Sequence, residues 1–302
     1  MTRTVCVTEA VHEDALELLR ENGFDLIEAA TPLPKADALL VRIRPVQAAE
    51  VAQFEVISKH GVGVDNIPLA AAKAAGVAVM NTPGANSGAV AEQALMLMLA
   101  LARDLDAQRA ASGAALPPPR VAGLEGRRLL IVGFGASGKK LAALASALGM
   151  KVVVHSRSMN DARHAGYGVA PNLAAALPKA DIVSLHCPLT EMTRHMLNAE
   201  MLALLPKGSY VINCARGGLI DEAALADALT SGALGGAGLD VTEIEPLPLD
   251  AALHAAPRLI LTPHAAAMSD GAFRRMGMMA AQNILDHFAG RPKPDHTVVS
   301  KG

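Results

Sequence analysis

The chain has 302 residues, about half of them apolar and 19% charged, which fits a globular protein with two hydrophobic cores rather than one. A formal net charge of −2 provides no global basic field for nucleic acid or an anionic membrane, so an anionic ligand has to be met locally. Three scattered cysteines, Cys6, Cys187 and Cys214, do not make a disulfide framework or a zinc site, and the polar start MTRTVCVTEA lacks the apolar core of a secretory leader; a reduced, cytoplasmic protein without a bound metal is expected.

In chain order, strands are expected at Thr4–Val7, Ala38–Val41, Val77–Met80, Leu129–Val132, Lys151–Val154, Asp181–Leu185, Tyr210–Asn213, Gly238–Val241 and Leu259–Leu261. Their apolar residues run consecutively instead of alternating, the pattern of strands buried on both faces of a parallel sheet. Ala/Leu-rich helical stretches separate them, so right-handed βαβ crossovers and an α/β fold follow. The most apolar of these stretches, AEQALMLMLALAR over 91–103, carries Glu92 and Gln93 and is too short to span a bilayer. A helix over about 88–103 is expected to connect two α/β domains. Residues 112–123, SGAALPPPRVAG, read as a loop, because three consecutive prolines cannot continue a helix. The last segment, from Arg291 with Pro292 and Pro294 to Gly302, reads as a tail lying on the surface.

The strand at 129–132 runs into Gly133-Phe134-Gly135-Ala136-Ser137-Gly138, a G-x-G-x-x-G match, and a helix is expected over Lys139–Leu148, ending at Gly149. The three glycines suit a tight turn, backbone approach to a pyrophosphate, and close packing of helix on strand; the helix start offers free N–H groups to the anion. The alternative is a tight βα turn with no ligand. A ribose-binding acid is expected about 20 residues beyond the first glycine. At that place the stretch KVVVHSRS carries Ser156, Arg157 and Ser158 instead. An arginine can pair with a 2′-phosphate and the serines can donate to it, which favours NADP(H) over NAD(H). Alternatively, Arg157 is solvated or stacks on an adenine.

Three further stretches lie at or beyond the carboxyl ends of expected strands, where open α/β sheets place ligands: NCARGG with Arg216, GLDVTEIEP with Asp240 and Glu245, and LTPHAA with His264. An arginine, a carboxylate and a histidine are what hydride transfer to a 2-oxo acid requires. The arginine grips the substrate carboxylate and polarises the carbonyl, the histidine exchanges a proton with the developing alkoxide, and the carboxylate orients the histidine through its far ring nitrogen. Taken singly, each residue also has a structural explanation.

Together with HGVGVDNI (60–67), NTPGANSGAVAEQAL (81–95), HCPLT (186–190) and INCARGGLIDEAAL (212–225), these stretches make the chain resemble the D-isomer-specific 2-hydroxyacid dehydrogenase family over almost its whole length. The resemblance implies two doubly wound parallel-sheet domains: a Rossmann cofactor domain at 99–272, and a discontinuous flavodoxin-like substrate domain from 1–98 plus 273–302, including a final helix near 273–289. It implies catalytic roles for Arg216, Glu245 and His264, a nicotinamide contact for Asp240, a cofactor cleft lined by Cys187, Pro188, Thr193, Cys214 and Ala215, and substrate-carboxylate binding by the backbone of Gly61, Val62 and Gly63. A homodimer that closes over its substrate is also implied. The tryptophan often found before the glycine loop is missing here, and the C-terminal regulatory domain of some phosphoglycerate dehydrogenases is not evident.

The substrate side chain is addressed by VRIRP, 41–45, where R-x-R spacing would put Arg42 and Arg44 on one side of an extended segment. Phosphoglycerate dehydrogenases of the family hold a phosphate with arginines in this region, so a second anionic group is one expectation; a salt-bridged arginine beside a solvated one is the other. The NADP-type reading points to reduction of glyoxylate, hydroxypyruvate or another small 2-oxo acid. NAD-dependent oxidation of a phosphoglycerate- or sulfolactate-type acid is the alternative, and an NAD(H)-sensing corepressor-like protein a remote one.

Overall fold

The structure, a computed structural model, describes residues 2–114, 116–157 and 159–300. Among these residues the short Val/Ile/Leu runs form strands β1 (Arg3–Val7), β2 (Phe24–Glu28), β3 (Ala38–Val41), β4 (Val56–Lys59), β5 (Ala78–Met80), β6 (Arg128–Val132), β7 (Lys151–His155), β8 (Gly168–Val169), β9 (Ile182–Leu185), β10 (Ser209–Asn213), β11 (Leu234–Leu239), β12 (Leu259–Leu261) and β13 (Thr297–Val299). The chain is α/β with two parallel-dominated sheets and divides into two units, Met1–Asn86 with Ala267–Gly302, and Ser87–Ala266.

The first unit has sheet order β13-β5-β4-β3-β1-β2. Its strands are covered on both faces, which explains why their apolar residues do not alternate with polar ones. Val5, Leu40, Val56 and Met80 pack with Ala15 and Leu19 of helix Glu13–Glu21 and with Ala280, Ala281 and Ile284 of helix Asp270–Phe288. Their neighbours Cys6, Leu39, Val41, Ile57 and Val79 face the opposite layer of Val51, Phe54, Ile67 and Ala72. The surface tail expected at the C-terminus is instead a built edge: β13 pairs antiparallel with β5, and buried His296 places Nδ1 2.7 Å from Asn283 Oδ1.

The second unit is wholly parallel, in the order β12-β11-β10-β9-β6-β7-β8, so the winding reverses between β6 and β9. The helix Ser87–Ala102 belongs to this unit. Its Ala91, Ala94, Leu97, Met98 and Leu101 are buried with Leu129, Ile131 and Ile212. Close approach is possible because β11 presents Gly236 and Gly238, where an added Cβ would lie 2.8 Å from Leu101 Cδ2 and from Leu97 Cβ. The same glycines hide the start of β11 from strand propensity. This packing places the division at 86/87, where the sequence suggested 98/99, and the second division falls at 266/267 in place of 272/273.

Candidate active site

In the second unit every described residue singled out for chemistry lies at or beyond the carboxyl end of a parallel strand. The glycine loop follows β6 at the reversal of winding, where such sheets open a crevice. Gly133 has φ +100°, and a Cβ there would sit 2.5 Å from the carbonyl carbon of His186; a Cβ on Gly138 would sit 2.3 Å from Gly133 O. Both glycines are therefore required by packing. Gly135 is different: a Cβ there meets nothing within 4 Å. Gly135 also N-caps the helix Ala136–Ala147 without a side chain, leaving the first-turn N–H groups uncapped by protein. This open cradle fits the pyrophosphate of a dinucleotide.

The rest of the loop is braced from behind. Phe134 is buried and packs edge-on against Tyr167, so its side chain is core. Ser137 Oγ lies 3.2 Å from Nδ1 of His186, whose Nε2 meets Ser184 Oγ at 2.9 Å; burial pushes this histidine's pKa down to about 4. Sequence reasoning passed over His186 as a support, although it opens the quoted stretch HCPLT. Ser156 Oγ accepts the Phe134 N–H at 3.2 Å, which turns it to the loop. Arg157 is exposed, with no hydrogen-bond or ion-pair partner among the described residues. Ser158 lies outside the described residues. Cys187, pushed up to about 11 by burial, and Cys214, pushed up by burial and by the Asp240 charge, are poor nucleophiles. Thr193 Oγ1 donates to Pro188 O at 2.8 Å and holds that turn closed, while Ala215 N–H donates to Asn213 Oδ1 at 3.0 Å.

The loops after β10, β11 and β12 bring the acid–base groups together. Nδ1 of His264 lies 2.7 Å from Oε2 of Glu245, and Thr242 N–H donates to Oε1 of the same carboxylate at 3.2 Å. Burial raises the Glu245 pKa, but the hydrogen bond and charge of His264, the Thr242 amide and the Arg216 charge outweigh it and hold the carboxyl below its ordinary value. With Nδ1 engaged, Nε2 of the half-exposed His264 ring has no hydrogen-bond partner among the described residues. Arg216 begins the turn Gly217–Leu219, its backbone carbonyl accepting from Asn213 Nδ2 at 2.9 Å. Gly217 fits that turn against the loop bearing Glu245: a Cβ would sit 2.0 Å from Thr242 C.

Asp240 is buried, and its oxygens accept from Ala265 N–H at 2.9 Å, Ala266 N–H at 2.8 Å and Thr262 Oγ1. Gln93 Nε2 closes the cluster on Thr262 Oγ1 at 2.9 Å. These groups bind the strand end that carries His264, which has φ +52°, a left-handed conformation uncommon for a non-glycine residue. Gln93 and Thr262 escaped sequence reasoning because neither has a distinctive spacing.

In the first unit, β4, β3 and β1 are neighbours, so the segments that follow them share one edge. Gly61 N–H is spent on Thr82 Oγ1 at 3.0 Å; the N–H groups of Val62 and Gly63 have no partner among the described residues. Arg42 lies with its guanidinium 5.5 Å from the Phe273 ring centroid and Nη2 3.3 Å from Met268 Sδ. Arg44 points elsewhere: Nη1 donates to Ala30 O at 2.7 Å and Nη2 lies 3.5 Å from Glu50 Oε1. The expected R-x-R pair is therefore not formed. Strand β3 ends at Val41, and residues 42–44 bend around the carboxylate of Glu9, which accepts their three amide N–H groups.

A model of the D-isomer specific 2-hydroxyacid dehydrogenase NAD-binding domain matches residues 95–266. The chain is 37% identical over 298 residues to a D-3-phosphoglycerate dehydrogenase of Methanocaldococcus jannaschii, covering 93% of this chain and 56% of that one. It is 35% identical over 287 residues to a hydroxypyruvate reductase of Thermotoga maritima, covering 91% and 92%. The chain thus spans about half the length of the phosphoglycerate dehydrogenases it matches and nearly the whole of the reductase. Among solved structures, the TT0316 protein of Thermus thermophilus superposes with a TM-score of 0.88 at 34% identity, over 98% of this chain and 100% of that one.

Proposed function

The chain belongs to the D-isomer specific 2-hydroxyacid dehydrogenase family, and from that premise we propose that it reduces a small 2-oxo acid, such as hydroxypyruvate or glyoxylate, with NADPH. The observation that carries the acid–base part is the 2.7 Å His264–Glu245 contact, which commits one ring nitrogen and leaves the other for substrate. A nicotinamide dinucleotide, held by the Gly135 cradle, supplies the hydride. Arg216 grips the substrate carboxylate and polarises its carbonyl, concentrating positive charge where the alkoxide develops. Nε2 of His264 delivers the proton to that oxygen, and Glu245 stabilises the imidazolium that gives it. Within the first unit, the N–H groups of Val62 and Gly63, without a partner among the described residues, suit a carboxylate. Asp240 fixes the His264 peptide; its oxygens are already met by protein donors, which favours this role over the nicotinamide contact suggested by resemblance.

Preference for NADPH rests on Arg157, exposed and unpartnered among the described residues at the end of β7. A second copy of the chain is the expected partner, which the exposed Met96, Leu99 and Leu105 of one stretch support. The three free cysteines suit a reducing cytoplasm, and among the described residues no helix is long and apolar enough to cross a membrane. The test is turnover of hydroxypyruvate and glyoxylate with NADPH and with NADH, in wild type and His264→Ala. The expected result is NADPH-dependent reduction whose kcat falls about 100- to 10,000-fold in the variant. No turnover with either cofactor, or turnover indifferent to His264, overturns the reading.

A further inference from the structure

Glu245 meets His264 from a short loop after β11, and that loop is fastened by other segments of the second unit. Within it, Thr242 N–H reaches the Glu245 carboxylate and Thr242 Oγ1 donates to Ile244 O at 2.8 Å. Glu243, between them, is held twice from outside. Its N–H donates to Glu222 Oε1 at 2.6 Å, and its own Oε1 lies 2.8 Å from Nε2 of His195. Arg194 Nη1 stands 3.8 Å from its second oxygen.

Both anchors are themselves fixed. Glu222 opens the helix Glu222–Thr230, whose N-cap Asp221 accepts the Ala224 N–H at 3.1 Å. His195 N–H donates at 2.8 Å to Gly218 O, in the turn that Arg216 begins, and Leu197 N–H donates to Leu219 O at 3.1 Å. His195 therefore joins that turn through its backbone and the Glu245 loop through its ring. Among the described residues four non-glycine residues have positive φ, and two of them are His195 (+49°) and His264 (+52°), each in contact with a glutamate of the same loop. Such a conformation persists where the surroundings over-determine it. Glu222 serves here as an acceptor, not as a charge. Burial, with the charges of Glu243 and Glu245, pushes its pKa up and outweighs the Glu243 amide and His195, which lower it. Resting on the reading of the chain as a 2-oxo acid reductase, we propose that Glu222 and His195 are positioning residues: acting through Glu243, they hold the loop so that the Glu245 carboxylate meets Nδ1 of His264.

Two measurements test this, one with turnover and one without. In the first, kcat, KM and the NADPH dissociation constant are compared in wild type, Glu222→Gln, Glu222→Ala and His195→Asn. Glutamine keeps an oxygen for the Glu243 N–H; asparagine suits the left-handed backbone but is one atom too short to replace Nε2. Glu222→Ala and His195→Asn should lower kcat about 10- to 100-fold, the scale of a small misplacement near the reacting atoms, and move KM and NADPH binding less than about twofold. Glu222→Gln should restore kcat to within about twofold of wild type. An unchanged kcat in Glu222→Ala, a Glu222→Gln as slow as Glu222→Ala, or NADPH binding that falls along with kcat overturns the proposal and leaves the reductase reading intact. A wild type without turnover overturns the reductase reading instead. In the second, amide hydrogen exchange is followed at Thr242, whose N–H reports the placement of the Glu245 carboxylate. It should exchange about tenfold faster in Glu222→Ala and at the wild-type rate in Glu222→Gln. A Thr242 rate that Glu222→Ala leaves unchanged overturns the proposal without reference to catalysis.

Discussion

Two clusters of backbone N–H groups are built for anions in this chain, and they are in opposite states. The helix start at Gly135 is open, with no capping side chain and no atom where a Cβ would lie. The turn at Arg42–Arg44 is closed, its three N–H groups taken by Glu9. The same backbone chemistry is thus left open in one unit and spent on the fold in the other. The difference comes from a side chain supplied 33 residues upstream of Arg42.

The comparison breaks most sharply if the open cradle is given what the closed one already has. Gly135→Asp should abolish dinucleotide binding, raising the NADPH dissociation constant about 100-fold or more, because like charges brought together cost several kcal/mol. The fold should survive, since Gly135 has φ −76° and space around it; NADPH fluorescence titration and a melting curve read both. A smaller effect is expected at the strand end bearing His264. Asp240→Asn places an N–H₂ against one of the amides of Ala265 and Ala266, and an unmet buried donor costs about 1–3 kcal/mol. Its kcat should fall about 10- to 100-fold by that penalty while the NADPH dissociation constant moves less than twofold; a nicotinamide-binding aspartate would give the reverse split. Arg157→Ala sharpens the open side: NADPH binding should weaken about tenfold, roughly 1.4 kcal/mol, with NADH unchanged.

The smallest effect is a pH dependence on the closed side. Burial raises the Glu9 pKa, but the hydrogen bonds from Thr8 and from the amides of Arg42, Arg44 and Ile43 lower it further than burial raises it. A carboxyl depressed in the folded state stabilises fully above its unfolded value, about 4.3 for glutamate, and that stabilisation is lost as pH falls through the folded value. The stability difference between wild type and Glu9→Gln, from urea unfolding, should therefore be constant near neutrality and shrink only in acid.

How legible each cluster was follows from what enforces it. Gly133 and Gly138 leave a motif because sterics exclude any other residue there, Gly138 through the nearby Gly133 carbonyl and Gly133 through the backbone of the distant His186. The contacts proposed for catalysis emerge only together: Glu245 and His264 are 19 residues apart on different strand ends, and Arg216 acquires its place through Gly217, whose close approach to Thr242 has no periodic signature. Glu9 was illegible because a carboxylate capturing amides from a distant turn leaves no pattern in either segment. R-x-R spacing presumed an extended chain, whereas the turn is set by that carboxylate. The C-terminal strand failed for a related reason: two prolines suggested a tail, and the partner that makes Thr297–Val299 a strand, β5, lies over 200 residues earlier.

The discontinuity of the first unit also bears on synthesis. Its sheet is encoded within residues up to 86, apart from β13, but one face is sealed by the helix Asp270–Phe288. A ribosome adds residues at about 5–20 per second, so Val5, Leu40 and Val56 wait roughly 10–40 s for Ala280, Ala281 and Ile284 to be made. In that interval the second unit, continuous from Ser87 to Ala266, has its complete sequence. The nascent chain therefore carries a complete second unit while the sheet of the first is still uncovered on one side, and that face is the surface a chaperone would meet first.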